Sequence, residues 1–101
     1  MTLRISIAPS AQAQLEELAG WWRRHRPSAS TDVAAEFRRI VEALAQMPFL
    51  GRPYRHRHGR NVRHYPIPGT PYHVFYAFTP DRGELRVLAV WSVVRGEAPR
   101  L

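Results

Sequence analysis

The chain carries YHVFYAF at residues 72–78, PDRG at residues 80–83 and LRVLAVWSVVR at residues 85–95. Both flanks are rich in the β-branched and aromatic residues that favour strands. The segment between them predicts a chain reversal, because Pro80 presets φ, Asp81 can bond its own backbone and Gly83 accepts a positive φ. The stretch therefore predicts a hairpin of two long strands.

The second strand of this hairpin is apolar in both of its alternating sets. A strand that is apolar on both faces belongs near the middle of a sheet, with cover on each side. One set comprises Leu85, Val87, Ala89, Trp91 and Val93, and most of the other comprises Leu88, Val90 and Val94. We expect the residues before Tyr72 to supply the cover.

The first half of the chain predicts one strand and one helix. Residues 3–7 alternate apolar and polar, which indicates a strand with one buried face. Pro9 suits the first turn of a helix, although Ala8 is a poor N-cap. Apolar residues at helical spacing then continue to about Arg24. Trp22 lies on this apolar face, and we expect it in the core between helices and sheet.

A second helix follows after Pro27. Ser28, Ser30, Thr31 or Asp32 can cap it, and apolar residues keep helical spacing from Val33 to Met47. Because few residues join the two helices, we expect an antiparallel helical hairpin. Residues 62–67 predict a further strand, which Pro66 confines to an edge or an end. The prediction is one α+β domain over residues 1–101, in which the helical hairpin packs on a small, mainly antiparallel sheet in the order β-α-α-β-β-β.

The charge is large and unevenly placed. The chain has 101 residues and a net charge of +7, and all 15 of its basic residues are arginine. Residues 1–47 contain six arginines and five acids, whereas residues 48–101 contain nine arginines and three acids. No acid occurs from residue 43 to residue 80. We therefore expect an anionic partner for the second half, either nucleic acid or an acidic protein segment.

Several function classes lack support in the sequence. The absence of cysteine excludes disulfides and thiolate metal sites. No apolar run suits a membrane span and no secretory signal is visible, so we expect a cytoplasmic protein. The histidines at 56, 58, 64 and 73 have no acid nearby to complete a zinc site, and no phosphate-cradling glycine loop or nucleophile elbow occurs. We expect no cofactor and no metal.

The basic segment at residues 52–64 is the first candidate site. Arginine presents a planar fork that matches phosphate and carboxylate oxygens, and nearby tyrosines can stack on bases. The alternative is a solvated, mobile surface loop. The candidate binding residues are Arg52, Arg55, Arg57, Arg60 and Arg63 in this segment, with Arg95 at the end of the last strand.

Acid–base chemistry is the second candidate. His73 lies early in a central strand, where a lone imidazole can take or give a proton; the alternative is a partly buried, hydrogen-bonded structural histidine. For RNA cleavage the accompanying cations would be Arg63, Arg86 and Arg95, although Arg86 and Arg95 equally suit surface charges that blunt aggregation. We expect Tyr76 to serve core packing.

In its motifs the chain resembles the RelE/ParE family of toxins from bacterial type II toxin–antitoxin pairs. The resemblance covers nearly all of the chain. It rests on I-x-I-A-P at residues 5–9, P-x-x-G-R-P at 48–53, V-R-x-Y-P at 62–66, Y-H-V-F-Y at 72–76 and V-L-A-V-W-x-x-x-R-G at 87–96.

The resemblance implies a cognate antitoxin as partner and one of two activities. RelE-like members cut mRNA on the ribosome, with basic residues on the sheet, which Arg63 and Arg95 would match, and a tyrosine or histidine close to the C-terminus. Residues 97–101 contain neither. ParE-like members also lack that group and inhibit DNA gyrase. We therefore expect a toxin that poisons gyrase, with a ribosome-dependent ribonuclease using His73 as the alternative, and a non-toxic nucleic-acid-binding module as a third hypothesis.

Overall fold

A computed structural model describes residues 2–26, 32–55, 61–94 and 96–101. Its helices are α1 (Pro9–His25) and α2 (Val33–Gln46), and a 3₁₀ turn follows at Pro48–Leu50. Its strands are β1 (Arg4–Ile7), β2 (Arg52–Tyr54), β3 (Val62–Pro66), β4 (Tyr72–Thr79) and β5 (Glu84–Ser92). The two helices pack against each other and on one face of the sheet, which confirms the predicted α+β class.

The described strands form one sheet in the order β1-β5-β4-β3-β2. β1 runs parallel to β5, whereas the other three pairs are antiparallel. The β4–β5 hairpin predicted from the sequence lies at the centre, and Gly83 closes its turn with φ 61° in the left-handed region. β5 therefore lies inside the sheet, between β1 and β4, as predicted.

A β-bulge explains why both alternating sets of β5 are apolar. Phe75 pairs with Ala89, but the next residue, Tyr76, pairs with Val87, so Leu88 is an extra residue on β5. The bulge reverses the side-chain alternation at that point. The helix-facing residues of β5 are consequently Leu85, Val87 and Val90.

The helices begin as their sequences predict. Ala8 makes no side-chain hydrogen bond at the start of α1, where Pro9 occupies the first turn. Among the four candidate caps of α2, Asp32 is the one observed, and its side chain accepts a hydrogen bond from the Ala35 amide. Apolar side chains from both helices then meet the helix-facing side of the sheet. This core includes Leu15, Leu18, Phe37, Ile40, Val41, Leu44, Val74, Tyr76, Phe78, Leu85 and Val87.

The structure corrects the prediction at three places. β2 is an additional strand within the predicted basic loop, so the order is β-α-α-β-β-β-β; Pro53 is tolerated there because β2 lies at the sheet edge. α2 ends at Gln46, and Met47 is 55% exposed instead of joining the apolar face. β5 ends at Ser92, and Val93 and Val94 form a turn.

Candidate functional site

The sheet face opposite the helices carries a diagonal row of polar and aromatic side chains. Val74, Tyr76 and Phe78 point into the core. Because side chains alternate along a strand, His73 and Phe75 point to the other face. Cross-strand partners lie on the same face. Phe75 pairs with His64 and His73 pairs with Trp91, while His64 pairs with Arg52 at the edge. The row therefore runs from Arg52 through the two histidines to Trp91.

His64 and His73 are joined by a hydrogen bond between their Nδ1 atoms, which lie 2.7 Å apart. A neutral imidazole carries one N–H donor and one acceptor nitrogen, so one Nδ1 donates and the other accepts. The two rings are also stacked, with centroids 4.9 Å apart. Phe75 also stacks on His64, with ring centroids 5.3 Å apart. The pair therefore acts as one unit with two remaining Nε2 atoms.

The surroundings of this pair keep it neutral. Partial burial lowers the pKa of His64 below its usual 6.5, and the neighbouring positive charge of Arg52 lowers it further. Partial burial also lowers the pKa of His73, followed in size by the effect of His64. At neutral pH the pair thus offers one N–H and one bare imidazole nitrogen, which suits hydrogen bonding and base chemistry better than proton donation.

Arg86 lies on the same face but towards the other end of the sheet. It pairs with Ala77 across β4 and with Ser6 across β1. Its guanidinium donates to the Ser6 hydroxyl at 3.1 Å, and its side chain is exposed. Arg86 therefore lies apart from the histidine pair and contributes to a separate polar patch.

Arg63 lies beside the 3₁₀ turn and away from the histidine pair. It pairs with Tyr76, whose side chain is in the core. Its Nη1 donates to the Gly51 carbonyl oxygen at 2.6 Å, and its guanidinium lies 5.0 Å from the centroid of the Phe49 ring. The charge that the sequence suggested for partner binding thus also fixes the backbone of the turn.

The remaining predicted arginines are only partly located. Arg52 and Arg55 are exposed at the β2 edge. Arg57, Arg60 and Arg95, with His56 and His58, lie outside the described residues. In the described ranges, no three side chains of His, Asp or Glu come together as metal ligands. The structure therefore brings together Arg52, His64 and His73, and places Arg63 and Arg86 elsewhere.

Sequence reasoning missed an aromatic groove between α1 and the sheet. A cavity of about 650 Å³ opens where α1 crosses the start of β4 and the end of β5. Its lining includes three aromatic residues, Trp21, Trp22 and Tyr72, and the end of β5 at residues 90–92. Trp22, expected in the core, packs against it from the side and remains partly exposed. The tandem Trp21-Trp22 could have indicated this groove. Two neighbouring helix positions cannot both face the same core, so one of the tryptophans must lie outside it.

The sequence matches a protein-family description over most of its length. Residues 5–95 match the family described as the ParE toxin of the type II toxin–antitoxin system, parDE. The chain belongs to this ParE toxin family. It is therefore the toxin of a type II pair, and its partner is a cognate antitoxin. A comparison with curated proteins gives no match.

The family match confirms the resemblance drawn from the motifs. It spans most of β1, both helices and the whole β4–β5 hairpin, including the histidine pair of this ParE toxin. In the described part of the toxin, neither helix is long and apolar enough to cross a bilayer. The P-x-x-G stretch at residues 48–51 coincides with the turn that Arg63 and Tyr76 hold in place.

Proposed function

We propose that this toxin arrests growth by binding DNA gyrase and that it does not act by cutting RNA. The carrying observation is the direct Nδ1–Nδ1 hydrogen bond between His64 and His73. Metal-free RNA cleavage needs one group that removes the 2′-hydroxyl proton and another that protonates the leaving oxygen. Because the two rings are hydrogen-bonded to each other, they are poorly positioned to act as acid and base on opposite sides of a phosphate.

The electrostatics of the face support the same proposal. Burial and neighbouring positive charge lower the pKa of His64, and burial also lowers that of His73, which disfavours the imidazolium that would protonate a leaving group. The family match is to the ParE toxins, and ParE-like toxins inhibit gyrase. We place the action in the cytoplasm, where gyrase and the antitoxin are available.

Partner binding in this proposal uses the basic second half. Arg52 and Arg55 are exposed and present forks for carboxylates, and we propose Arg57, Arg60 and Arg95 for the same role. Arg63 contributes less directly, because its Nη1 already donates to the Gly51 carbonyl. The antitoxin neutralises the toxin by covering part of this basic surface.

RNA cleavage is the second candidate, and one observation favours it. The histidine pair is neutral, partly exposed and next to Arg52, so a bare nitrogen lies beside a cation that can hold phosphate. In this alternative His73 and His64 are the acid–base pair. Arg86 and Arg95 would stabilise charge elsewhere along the strand.

The test uses antitoxin-free toxin in two assays. We expect mRNA to stay intact, alone and on ribosomes, while gyrase supercoiling is inhibited. The histidine variants His73→Ala and His64→Ala should keep that inhibition, as should the control His25→Ala on α1. Cleavage that disappears in His73→Ala and persists in His25→Ala would replace the gyrase proposal with the ribonuclease.

A further inference from the structure

Three large apolar side chains are exposed together after α2. Met47 is 55% exposed, Phe49 68% and Leu50 45%, and all three belong to or adjoin the 3₁₀ turn. We call these three residues the apolar turn. Single exposed apolar residues are ordinary, whereas a contiguous group of them marks an interaction surface.

The apolar turn is fixed from below by a buried hydroxyl. Tyr76 is fully buried in the central strand, and its hydroxyl donates to the Pro48 carbonyl oxygen at 2.6 Å. The same hydroxyl accepts a hydrogen bond from the Gly51 amide at 2.9 Å. Both ends of the turn are thus bonded to the sheet. A surface held in one conformation loses less entropy on binding than a mobile one.

Phe49 is held from two further sides and still projects. The Arg63 guanidinium lies over its ring, and Phe78 contacts it edge to face at a centroid distance of 5.1 Å. Phe, Met and Arg are residue types enriched in protein interfaces. The turn therefore presents a rigid apolar knob with a cation at its side.

The charge around the apolar turn indicates the chemistry of the partner surface that would contact it. The Arg63 guanidinium lies against it, Arg52 follows two residues after Leu50 in the chain, and the sequence has no acid from residue 43 to residue 80. An occupant that complements it has an apolar centre and an acidic rim. A nucleic acid offers phosphates and bases that can stack on Phe49, but it has no apolar pocket for the aliphatic Leu50, so a protein fits better. A projecting knob fits a concave site, which a folded protein provides.

Resting on the proposed function, we propose that the apolar turn is the surface with which the toxin docks on its target protein, in an apolar pocket rimmed by acidic residues. On DNA gyrase such a pocket takes Phe49 and Leu50 while its carboxylates meet Arg52 and Arg63. Antitoxin binding uses the exposed arginines of the basic second half and does not need the apolar turn, so substitutions in the turn separate docking from neutralisation.

The experiment compares Leu50→Glu and Phe49→Ala with a matched control, Val94→Glu. Val94 is an apolar residue that is 76% exposed after β5, where it receives the same change. Each variant is measured for growth arrest on expression, inhibition of purified gyrase, affinity for the cognate antitoxin, molecular mass in solution and thermal unfolding. We expect both turn variants to lose about tenfold or more in growth arrest and gyrase inhibition. Antitoxin affinity should stay at the wild-type value, and Val94→Glu should behave as wild type throughout.

Three results would overturn the proposal: full growth arrest in both turn variants, an equal loss of antitoxin affinity, or a change of oligomeric state that accounts for the loss. The first removes the turn from function, the second assigns it to the antitoxin, and the third assigns it to a second copy of the chain. If Leu50→Glu fails to fold, Phe49→Ala decides alone.

The same assays separate this inference from the gyrase proposal. Wild-type toxin that arrests growth without inhibiting gyrase would refute the gyrase target. A turn variant that then loses growth arrest with intact antitoxin binding would still support docking through the turn. A wild-type chain with no effect on growth would refute both.

Discussion

At the residue scale, Gly51 occupies a position that has no room for a side chain. A Cβ at this position would lie 2.8 Å from the Tyr76 ring and 2.9 Å from the His64 carbonyl oxygen, and closer still to the Tyr76 hydroxyl. The backbone φ of Gly51 is −71°, which any residue adopts. The requirement for glycine is therefore steric, and it explains the glycine of the P-x-x-G motif.

Gly51→Ala should destabilise the toxin by about 1–3 kcal/mol, as overpacking of a well-packed site does. The added methyl group displaces the Tyr76 hydroxyl and weakens its bonds to Pro48 and Gly51. Urea denaturation measures the change in the free energy of unfolding. Gly96→Ala is the matched control, because nothing lies within 4 Å of its added Cβ. Equal stability of the two variants would contradict the steric argument.

The histidine pair predicts a pH dependence of stability. The pKa values of His64 and His73 are lowered in the folded toxin, so the unfolded chain binds more protons as the pH falls. Their contribution is fully present above the unfolded pKa of about 6.5 and is lost as the pH falls through the lower folded values. Urea denaturation should therefore give a smaller free energy of unfolding at about pH 5 than at about pH 8.

The control for this pH effect is a double variant. His64→Gln with His73→Gln should show a weaker dependence than wild type, and His25→Gln on the exposed face of α1 should keep it. An unchanged dependence in the double variant would assign the effect to other groups.

At the element scale, the two tryptophans of α1 have different roles. Trp22 packs against the core, whereas Trp21 is 42% exposed and stacks on His25. Trp22→Ala should cost about 2–3 kcal/mol, below the range for fully buried tryptophan, because Trp22 is only partly buried. Its buried indole N–H also has no hydrogen-bond partner among the described residues, which offsets part of its contribution.

Trp21→Ala is the natural comparison, since it removes the same side chain one position away. We expect it to cost less than about 1 kcal/mol, as exposed substitutions do. Thermal and urea denaturation of both variants give the difference. If Trp21→Ala were as destabilising as Trp22→Ala, the two tryptophans would not differ in their contribution to stability, contrary to this prediction.

The elements that the sequence predicted are those with long periodic patterns. The two helices and the β4–β5 hairpin carry repeating apolar spacing over many residues, so local patterns suffice. β2 is three residues long and contains Pro53, which gives it no such pattern. The bulge at Leu88 could not be predicted either. Because the run is apolar at every position, its pattern is the same whether or not the side chains switch faces.

The candidate site was predictable in part, for a related reason. His73 stood out as a histidine in a central strand, but its partner His64 lies diagonally across β3. That neighbour depends on the register between the two strands, which is set by the loop that joins them and by core packing. The exposure of Met47 was likewise not predicted. Met47 keeps the helical spacing of the apolar residues, but α2 ends one residue before it.

At the scale of the whole molecule, one face of the sheet packs in the core and the other face is available for contacts. The helices cover one face and carry most of the core, while the other face presents the histidine pair and Arg86. Most of the positive charge belongs to the half of the chain that forms β2 to β5. The polar sheet face and the apolar turn are therefore both accessible outside the core.

This charge distribution predicts that antitoxin binding is sensitive to salt. With six excess positive charges after residue 47, the toxin should attract an acidic segment over a distance that salt shortens. Raising the salt from about 0.1 M to about 0.5 M should weaken antitoxin affinity on the order of tenfold, mainly by slowing association. The double variant Arg52→Gln with Arg55→Gln should reduce this slope. Arg39→Gln should leave it unchanged, because that side chain is 71% exposed and pairs with Glu36 on α2, in the nearly neutral half. An affinity that does not respond to salt would show that apolar contacts alone hold the antitoxin.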